Sequence, residues 1–482
     1  MATSNAAGPQ ESSGPGIIAR LERLQVWSLS YSFIVIIGLG FLFTFYDIFD
    51  INVSFIQTCV ALKPGCTPET ALASLPLPVV LNLAGYVLGT LVLSPIADKV
   101  GRRNMLLITM LITGLGSLYN ALAPDYANFV IARVITGVGI GADLAIVNTY
   151  INEVSPRPAR ARFTTLVFIN SSVGAMIGIW LGLILTPEKE PWPLGLPFAA
   201  ASPDFDTGWR WMYGIGAILA LIAVLLRIRL PESPRWLIGQ GRESEADEIV
   251  QDMETRARRR GRLAEPDYDI PQSAVTPPPR VPYSTLFTNP LYLRRILLLF
   301  ALWFIGYITV YSYASGFTSV LSALKYPPPE AGVIAAVGSF GFVGGTVVMT
   351  FVVEKLERRY WLPIAAVVTL IGAVLIAVAG THITVALIGS DLVFAGFNLW
   401  VSPTYALSAE CFPTRARTTG FALVDGVGHI GGGIGVLAIA PILPHLSTLG
   451  ALLLISGFLV VAAILAQFTP HTRARNLDHI SP

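Results

Sequence analysis

Long apolar runs separated by short polar stretches dominate this chain. Runs of about 20 residues, the length that carries a helix through a hydrocarbon layer, recur near 30–55, 78–97, 104–122, 126–150, 163–186, 209–229, 295–317, 330–353, 361–380, 383–408, 418–441 and 447–468. The pattern predicts twelve transmembrane helices, and an even number puts both ends of the chain on one side. It is interrupted once, between about 230 and 294, by a helix-favouring charged run from Arg242 to Arg262 and a Pro-rich segment ending at Pro282. Six spans precede that interruption and six follow it. The predicted organisation is a tail over 1–26, a six-helix bundle over 27–230, a linker with short helices over 231–282, a second bundle over 283–468 and a tail over 469–482. Residues 1–26 are polar and carry no apolar core ending in a cleavage site, so they read as a tail and not as a secretory signal.

Composition agrees with the pattern. With 53% hydrophobic and 13% charged residues and a mean hydropathy of +0.64, the charges are too few to cover a soluble globule, and most of the surface is expected to face lipid. The cations set the orientation. If the N-terminus is inside, all of the 32 Lys and Arg residues fall in inner segments except Lys63, Lys189, Arg210, Lys325 and Arg133, so both termini are expected on the cytoplasmic side of the plasma membrane. The net charge of +2 is mostly this asymmetry and does not indicate a nucleic-acid partner. The basic cluster Arg256 to Arg262 can either touch anionic lipid or form a solvated helix face.

Two strings mark a duplication. Asp98-Lys99-Val100-Gly101-Arg102-Arg103 and Glu354-Lys355-Leu356-Glu357-Arg358-Arg359 are offset by 256 residues (354 − 98), and Glu153-Val154-Ser155-Pro156 and Glu410-Cys411-Phe412-Pro413 by 257 (410 − 153). Two markers in one register make a repeat. An acidic residue at a helix end with arginines just beyond it can form charge-assisted bonds to a neighbouring helix and latch one face shut. The predicted inner gate is Asp98, Arg102, Arg103, Glu153 and Arg160 in one half, and Glu354, Arg358, Arg359, Glu410 and Arg417 in the other.

On these strings the chain resembles the major facilitator superfamily. Ser94-Pro95-Ile96-Ala97-Asp98-Lys99-Val100-Gly101-Arg102-Arg103 is similar to that family's inner-loop pattern, with Ser94 and, in the second copy, Glu357 in place of glycines. Arg133-Val134-Ile135-Thr136-Gly137-Val138-Gly139-Ile140-Gly141 resembles its fourth-helix motif. Pro231-Glu232-Ser233-Pro234-Arg235-Trp236-Leu237 looks like the sugar porter and organic-ion branches, whereas Tyr46-Asp47-Ile48-Phe49-Asp50-Ile51-Asn52 looks like phosphate:proton symporters. The seventh span lacks the paired glutamines of sugar porters, and Asn170 stands where the fifth helix would offer Gln. The resemblance implies an all-α integral membrane fold of twelve transmembrane helices in two six-helix bundles. It also implies a monomeric secondary carrier that works by alternating access. The expected activity is proton-coupled symport of a small polar metabolite such as a sugar, organic acid or phosphate. An uncoupled uniporter and a transporter-like receptor are the rival readings.

Charge inside the spans carries the candidate chemistry, because an ionised side chain at mid-bilayer costs roughly 2.5–3.5 kcal/mol on insertion scales. Asp47, Asp50, Arg133, Asp143, Asp425 and His429 are the candidates for proton coupling. Asp47 and Asp50 share a helix face. Asp143 lies about 15 Å deeper than Arg133, and Asp47 between them. Asp47 and Arg133 are either a static ion pair or a carboxyl that releases its proton as the guanidinium approaches. Asp425 and His429 are one turn apart, the spacing of a hydrogen-bonded relay. Asn170, Trp303, Tyr307, Tyr311, Asn398 and Trp400 are candidates for a central substrate cavity. Cys59 and Cys66 fall in the first outer loop and are either a disulfide or two separate thiols. No further Cys or His lies near them, so no metal site is expected. Gly426-Val427-Gly428-His429-Ile430-Gly431 matches a dinucleotide fingerprint without its βαβ surroundings and reads as helix-packing glycines. No cofactor and no enzymatic chemistry are expected, and the partners are a small-molecule substrate, protons and the lipid bilayer.

Overall fold

The computed structural model describes residues 13–24, 28–154, 160–260, 263, 265, 284–380, 382–412 and 417–473. Twelve helices among them are long and apolar enough to cross a membrane: Tyr31–Phe49, Ala71–Ala97, Arg102–Leu122, Tyr126–Ile151, Thr165–Leu185, Gly208–Arg227, Pro290–Ala314, Pro328–Val352, Arg358–Val378, Ile383–Glu410, Thr419–Ile439 and Thr448–Ala466. They are called spans one to twelve. Their starts follow from local chemistry. Ser30 accepts a bond from Ser32 N to open the first span. Asn289 caps Leu291 N, with Pro290 at the first helical position, to open the seventh. Leu122, Leu225, Phe351, Val378 and Ile464 stay exposed on the outside of the bundles, where hydrocarbon takes the place of a protein partner.

Spans one to six pack among themselves, as do seven to twelve, and the halves meet where the fifth span packs on the eighth and the second on the eleventh. Glycines set how closely the helices approach. A Cβ on Gly85 of the second span would lie 2.3 Å from Val134 O of the fourth, and one on Gly141 2.1 Å from Tyr86 O. Gly341, at the same place in the repeat (341 − 85 = 256), meets Asp391 O at 2.0 Å on the same construction. Backbone contact at this range replaces the hydrophobic driving force that lipid removes.

The apolar runs and the helices differ at three places. The first run is two helices, Tyr31–Phe49 and Ile51–Leu62, joined at Asp50. The seventh ends at Ala314 and is followed by the short helix Phe317–Ala323. The tenth breaks at Trp400. The first two breaks face each other and seal one side of the molecule. Asn52 Nδ2 donates to Tyr313 O and Ala314 O at 2.8 and 2.7 Å, Asn52 Oδ1 accepts from Thr318 Oγ1 at 2.7 Å, and Ser315 Oγ donates to Ile48 O at 3.3 Å. On that side Cys59 and Cys66 are joined in a disulfide, while Cys411 is free and buried.

The opposite side carries the linker. Ser233 caps the helix Pro234–Gly239, and Glu243–Arg259 forms the longer linker helix, slightly shorter than the charged run that predicts it. Its acidic residues hold an N-terminal helix, Gly14–Glu22. Arg20 bonds Asp247 at 2.5 Å and Glu254 at 3.0 Å, and Arg23 bonds Glu254 at 2.5 Å. Of the basic cluster, Arg256 pairs with Asp252 at 2.9 Å and Arg260 lies over the Tyr31 ring.

The two repeated corners on this linker face are built differently. Gly101 has φ +103°, and a Cβ there would meet Glu232 Oε2 at 2.4 Å. The open corner admits Glu232 of the linker, whose carboxylate accepts from Arg102 N and Arg103 N at 3.0–3.3 Å. Glu357 occupies the corresponding place (357 − 101 = 256). There the corner supplies its own carboxylate, which accepts from Arg358 N, Thr472 N and Arg473 N at 3.1–3.2 Å.

One buried ion pair holds three spans together. Asp143 of the fourth span takes a bidentate contact from Arg227 of the sixth, through Nη1 to Oδ1 and through Nη2 to Oδ2 at 2.9 Å. Thr109 of the third adds a bond to Oδ1 at 2.9 Å. Gly40 makes the room, since a Cβ there would lie 1.8 Å from Arg227 Nη2. Both charges are fully buried, so neither has water to fall back on. Arg227, counted with the inner-segment cations although the apolar run 209–229 includes it, therefore belongs to the bundle interior.

Two predictions follow from these contacts. Arg227→Leu leaves Asp143 buried without its counter-charge and is expected to destabilise the detergent-solubilised protein by about 3–5 kcal/mol, with Asp143→Leu in the same chain restoring most of the loss. Thermal unfolding of the single and double variants checks this, and a double variant no better than the single contradicts it. At the second corner, burial opposes ionisation of Glu357, but the Thr472, Arg473 and Arg358 N–H groups and His471 outweigh it and hold the carboxyl below its ordinary value. The docking of the tail is therefore complete above about pH 4.5 and is lost as pH falls through the lower folded-state value. Glu357→Ala is expected to speed proteolysis around Arg473 at neutral pH, and cleavage at the wild-type rate removes the contact from the account.

Candidate functional site

Between the halves lies a cavity of about 480 Å³, its mouth included. The first span contributes Phe45 and Phe49, the fifth Phe168, the seventh Tyr307 and Tyr311, the eighth Phe342, the tenth Phe397, Asn398 and Tyr405, and the eleventh His429. Phe41, Phe45 and Phe49 stack in turn along one face of the first helix, at 6.4 and 6.3 Å between ring centres, as i,i+4 spacing dictates. A smaller cavity adjoins it toward the linker face, sharing Leu144 and Tyr405 and bounded by Tyr86, Asn148, Phe421 and Asp425. The Asn52 seal closes the other side.

The cavity candidates divide into two layers. Tyr307, Tyr311 and Asn398 line the wall. Trp303 and Trp400 stand behind it, 4.8 Å apart between ring centres, with Trp303 stacked on Tyr307 at 5.0 Å and bonded through Nε1 to Ser408 Oγ at 2.9 Å. Asn170 lies against Gly38 instead, with its amide donating to Leu166 O at 3.5 Å.

Asp425 and His429 sit at the junction of the two cavities. Asp425 lies in a π-helical turn, Ala422–Gly426, a local widening that often accompanies functional sites. Its Oδ1 accepts from the Tyr307 hydroxyl at 2.6 Å. His429 Nδ1 bonds Asp425 O at 2.8 Å and lies 3.6 Å from Asp425 Oδ1. The imidazole is held between the rings of Tyr86 and Tyr307, at 4.1 and 4.0 Å, so a residue from each half grips it.

A second charged group lies near the sealed side. Arg133 Nη1 and Nη2 donate to Asp47 O at 3.1 Å, and Nη1 lies 3.4 Å from Asp47 Oδ2 and 3.5 Å from Asp50 Oδ1. Ser117 Oγ donates to Asp47 Oδ1 at 2.6 Å. Asp50 Oδ2 has no hydrogen-bond partner among the described residues. Arg133 itself is fixed from behind, because Asn82 Nδ2 donates to its carbonyl at 2.7 Å. One guanidinium thus serves two buried carboxyl groups. Asp143, the third acidic candidate of this half, is engaged with Arg227 and stands apart from them.

At the linker face, the gate candidates form one latch in each half. Arg102 joins Glu153 at 3.2 Å and bonds Ala97 O at 3.0 Å; Arg103 bonds Ile228 O at 2.5 Å. In the second half Arg358 joins Glu354 at 2.9 Å and lies 3.7 Å from Glu410, with Nη1 on Val353 O at 3.2 Å. Arg359 bonds Gln467 O and Thr469 O at 3.0 and 3.2 Å. The side chains of Asp98, Arg160 and Arg417 lie outside the described residues. Each latch closes within its own half, so each half is stiffened as a unit.

Reading the sequence alone missed Arg227, Glu232, Tyr405 and the phenylalanines of the wall. Signals for some were present. Arg227 ends an apolar run, Glu232 lies in Pro231-Glu232-Ser233-Pro234, and Phe41, Phe45 and Phe49 repeat at helical spacing. Nothing in the sequence marks Tyr405 or Phe342 as facing inward: the break at Trp400 sets the orientation of Tyr405, and the packing of the eighth span sets that of Phe342.

Comparison with known proteins extends this geometry. Residues 32–482 match the profile of the family "Sugar (and other) transporter". The chain is 25% identical over 465 residues to the putative metabolite transport protein YyaJ of Bacillus subtilis, covering 95% of this chain and 96% of the relative. It is 25% identical over 418 residues to the niacin transporter NiaP of Acinetobacter baylyi, covering 86% and 88%. The structure of the proton:xylose symporter XylE from E. coli superposes with a TM-score of 0.68 at 20% identity, covering 93% of this chain and 98% of that one. The fold is thus that of the major facilitator superfamily, and the chain is an integral membrane transporter and not an enzyme. With twelve apolar helices, the repeated latches and a cavity between the halves, this chain belongs to the sugar (and other) transporter family.

Proposed function

We propose that the protein is a proton-coupled symporter of a small organic metabolite, working by rocking of its two halves about the central cavity. The observation that carries this reading is the Asp47, Asp50 and Arg133 cluster. Two fully buried carboxyl groups face a single guanidinium, so the cluster is charge-balanced only with one proton bound. Losing that proton leaves an excess negative charge in a place without water, which a bilayer protein tolerates only by changing conformation or opening the site. Proton binding and the state of the cavity are then linked. The phenylalanines of the first span face the cavity, while its aspartates face Arg133, so one helix reads both. The niacin transporter and the proton:xylose symporter among the similar proteins support a small organic substrate and proton coupling.

The excess of Lys and Arg in segments on the linker face supports placing that face in the cytoplasm of a plasma-membrane protein. Sealed on the far side, the structure then corresponds to a state loaded from or released to the cytoplasm. Asp425 and His429 serve the substrate cavity in this reading, whereas Asp47 and Asp50 serve the proton.

Two experiments test it. Asp47→Asn and Asp50→Asn are each expected to abolish accumulation driven by an inward proton gradient in proteoliposomes, while counterflow exchange at equal pH persists. Gradient-driven accumulation undiminished in both variants moves the coupling role to Asp425 and His429, and wild-type uptake indifferent to the gradient makes the protein a uniporter. The seal is tested by Asn52→Ala, which is expected to increase labelling of a Tyr311→Cys reporter by a membrane-impermeant maleimide added on the sealed side. The buried Cys411 keeps the background low. Unchanged labelling rules out Asn52 as a gate.

A further inference from the structure

The fifth span ends at Leu185 and the sixth begins at Gly208. The loop between them has a tip, Pro191-Trp192-Pro193-Leu194-Gly195-Leu196-Pro197-Phe198, without a charged, amide or hydroxyl side chain. Trp192, Leu194 and Phe198 are 52, 46 and 64% exposed, whereas Leu196, Ala199 and Ala201 are buried. The loop is ordered by its own hydrogen bonds: Glu190 N donates to Leu196 O at 3.3 Å, Leu194 N to Pro191 O at 2.9 Å, Ala199 N to Leu196 O at 3.2 Å and Ala200 N to Ile184 O at 2.7 Å. Charge is confined to its flanks, where Glu188, Lys189 and Glu190 precede the tip, Asp204 and Asp206 follow it, and all five are exposed. Large apolar side chains are thus held outward on a fixed backbone, and no protein group covers them.

The second half fixes the height of this tip. A Cβ on Gly195 would lie 3.1 Å from Pro329 Cβ, in the first turn of the helix Pro328–Val352, and one on Gly332 of the same helix would lie 2.8 Å from Leu183 Cδ1 and 3.9 Å from Pro187 Cγ. The first turn of a spanning helix stands at the edge of the hydrocarbon layer, the level at which Trp is enriched because its ring pairs an apolar body with one N–H for the headgroups. Further along the same seam, Trp180 of the fifth span packs on Phe340 of the eighth at 5.5 Å between ring centres, and Phe340 is half-exposed on the lipid side. The tip therefore continues the lipid-facing belt. Its backbone suits that place as well, because a segment leaving water must have its N–H groups satisfied or absent. Pro191, Pro193 and Pro197 have none, and that of Leu194 is bonded within the loop. From this geometry we infer that the loop is an anchor in the bilayer surface: Trp192, Leu194 and Phe198 enter the boundary between headgroups and acyl chains in the leaflet on the sealed side, and the charged flanks stay in water. The loop belongs to the first half and its tip rests on the second, so lipid bears on the seam that parts on this side when the halves rock. The anchor itself depends on neither the substrate nor proton coupling.

Fluorescence quenching of the purified full chain in lipid nanodiscs tests the anchor, with a bimane label on Phe198→Cys. Cys59 and Cys66 are joined and Cys411 is buried, so the label is directed to the new thiol. Lipid brominated near the headgroup end of its acyl chains is expected to quench this label about twofold or more over aqueous iodide, and more than lipid brominated near the chain ends. A label on Glu188→Cys, in the charged flank, is expected to show the reverse order, iodide over lipid. Trp192→Ser together with Leu194→Ser in the Phe198→Cys chain is expected to raise iodide quenching by about threefold or more, which assigns the insertion to the loop's own side chains and not to the dye. Iodide quenching of the Phe198→Cys label without lipid quenching puts the tip in water and overturns the inference. Shielding from both quenchers puts it under a protein partner or a second copy and does the same, as does a label that stays in lipid when Trp192 and Leu194 are replaced. Should Phe198→Cys fail to fold, Leu194→Cys carries the label, with Trp192→Ser and Phe198→Ser as the paired substitutions, and the same outcomes decide.

Discussion

Hydrocarbon offers an ion neither water nor a hydrogen bond, and the interior of this protein is arranged around that constraint. The fully buried charges of the first half are matched across neighbouring helices. Arg227 answers Asp143, and Arg133 answers Asp47 and Asp50. The first match is closed: two oxygens meet two nitrogens, and a threonine takes up further capacity. Such a pair serves registration more than energy, because its attraction largely repays the cost of removing both ions from water. The second match leaves a surplus carboxyl. Structural and titrating charge can therefore be told apart by stoichiometry and geometry, although both sets are equally buried.

The duplication shows how the two halves have divided the work. In the fourth and tenth spans, which share the 257-residue register, Arg133 corresponds to Ser390 (390 − 133) and Asp143 to Trp400 (400 − 143). The second half thus replaces a charge by a hydroxyl and another by an indole. Ser390 spends its hydroxyl on Ile334 O at 2.6 Å, and Trp400 packs against Trp303 behind the cavity wall. The common scaffold of close-packed glycines and arginine latches is kept in both halves. At these two positions the first half carries charge and the second a hydroxyl and an aromatic ring.

Rigidity within each half is what makes motion between them useful. The latches, the Asn82 bond to the fourth span and the glycine contacts fasten helices inside a bundle. Contacts across the middle are fewer: the Asn52 clamp, the grip of Tyr86 on His429, and a Ser172 to Thr346 hydrogen bond at 2.6 Å. These contacts join neutral groups, and their hydrogen bonds are worth about 0.5–1.5 kcal/mol net each. They can be released by a change in protonation or occupancy worth a few kcal/mol, which a buried ion pair across the same surface would resist.

The sequence by itself determined the number of spans, their grouping into six and six, the linker, and most of the residues carrying intramembrane charge, Arg227 excepted. Each of these is a local property of composition and spacing: a run of about 20 apolar residues has one stable way to satisfy its backbone in lipid, and a charge within it is conspicuous. The repeated corners were legible too, because their residues are adjacent in the chain. Partnership was not. Arg133 shared between Asp47 and Asp50, Arg227 on Asp143, and Glu232 on the corner beside Gly101 are contacts between residues 83 to 130 positions apart, and they depend on which helix faces lie together. Nor could spacing show that Asn170 lies off the cavity, that Trp303 and Trp400 stand behind it, or that Asn398 keeps one oxygen without a partner. Those facts depend on rotation of each helix about its axis, which lipid does not dictate. Packing against neighbouring helices sets it, through glycines that let backbones touch and breaks at Asp50 and Trp400 that reset the phase.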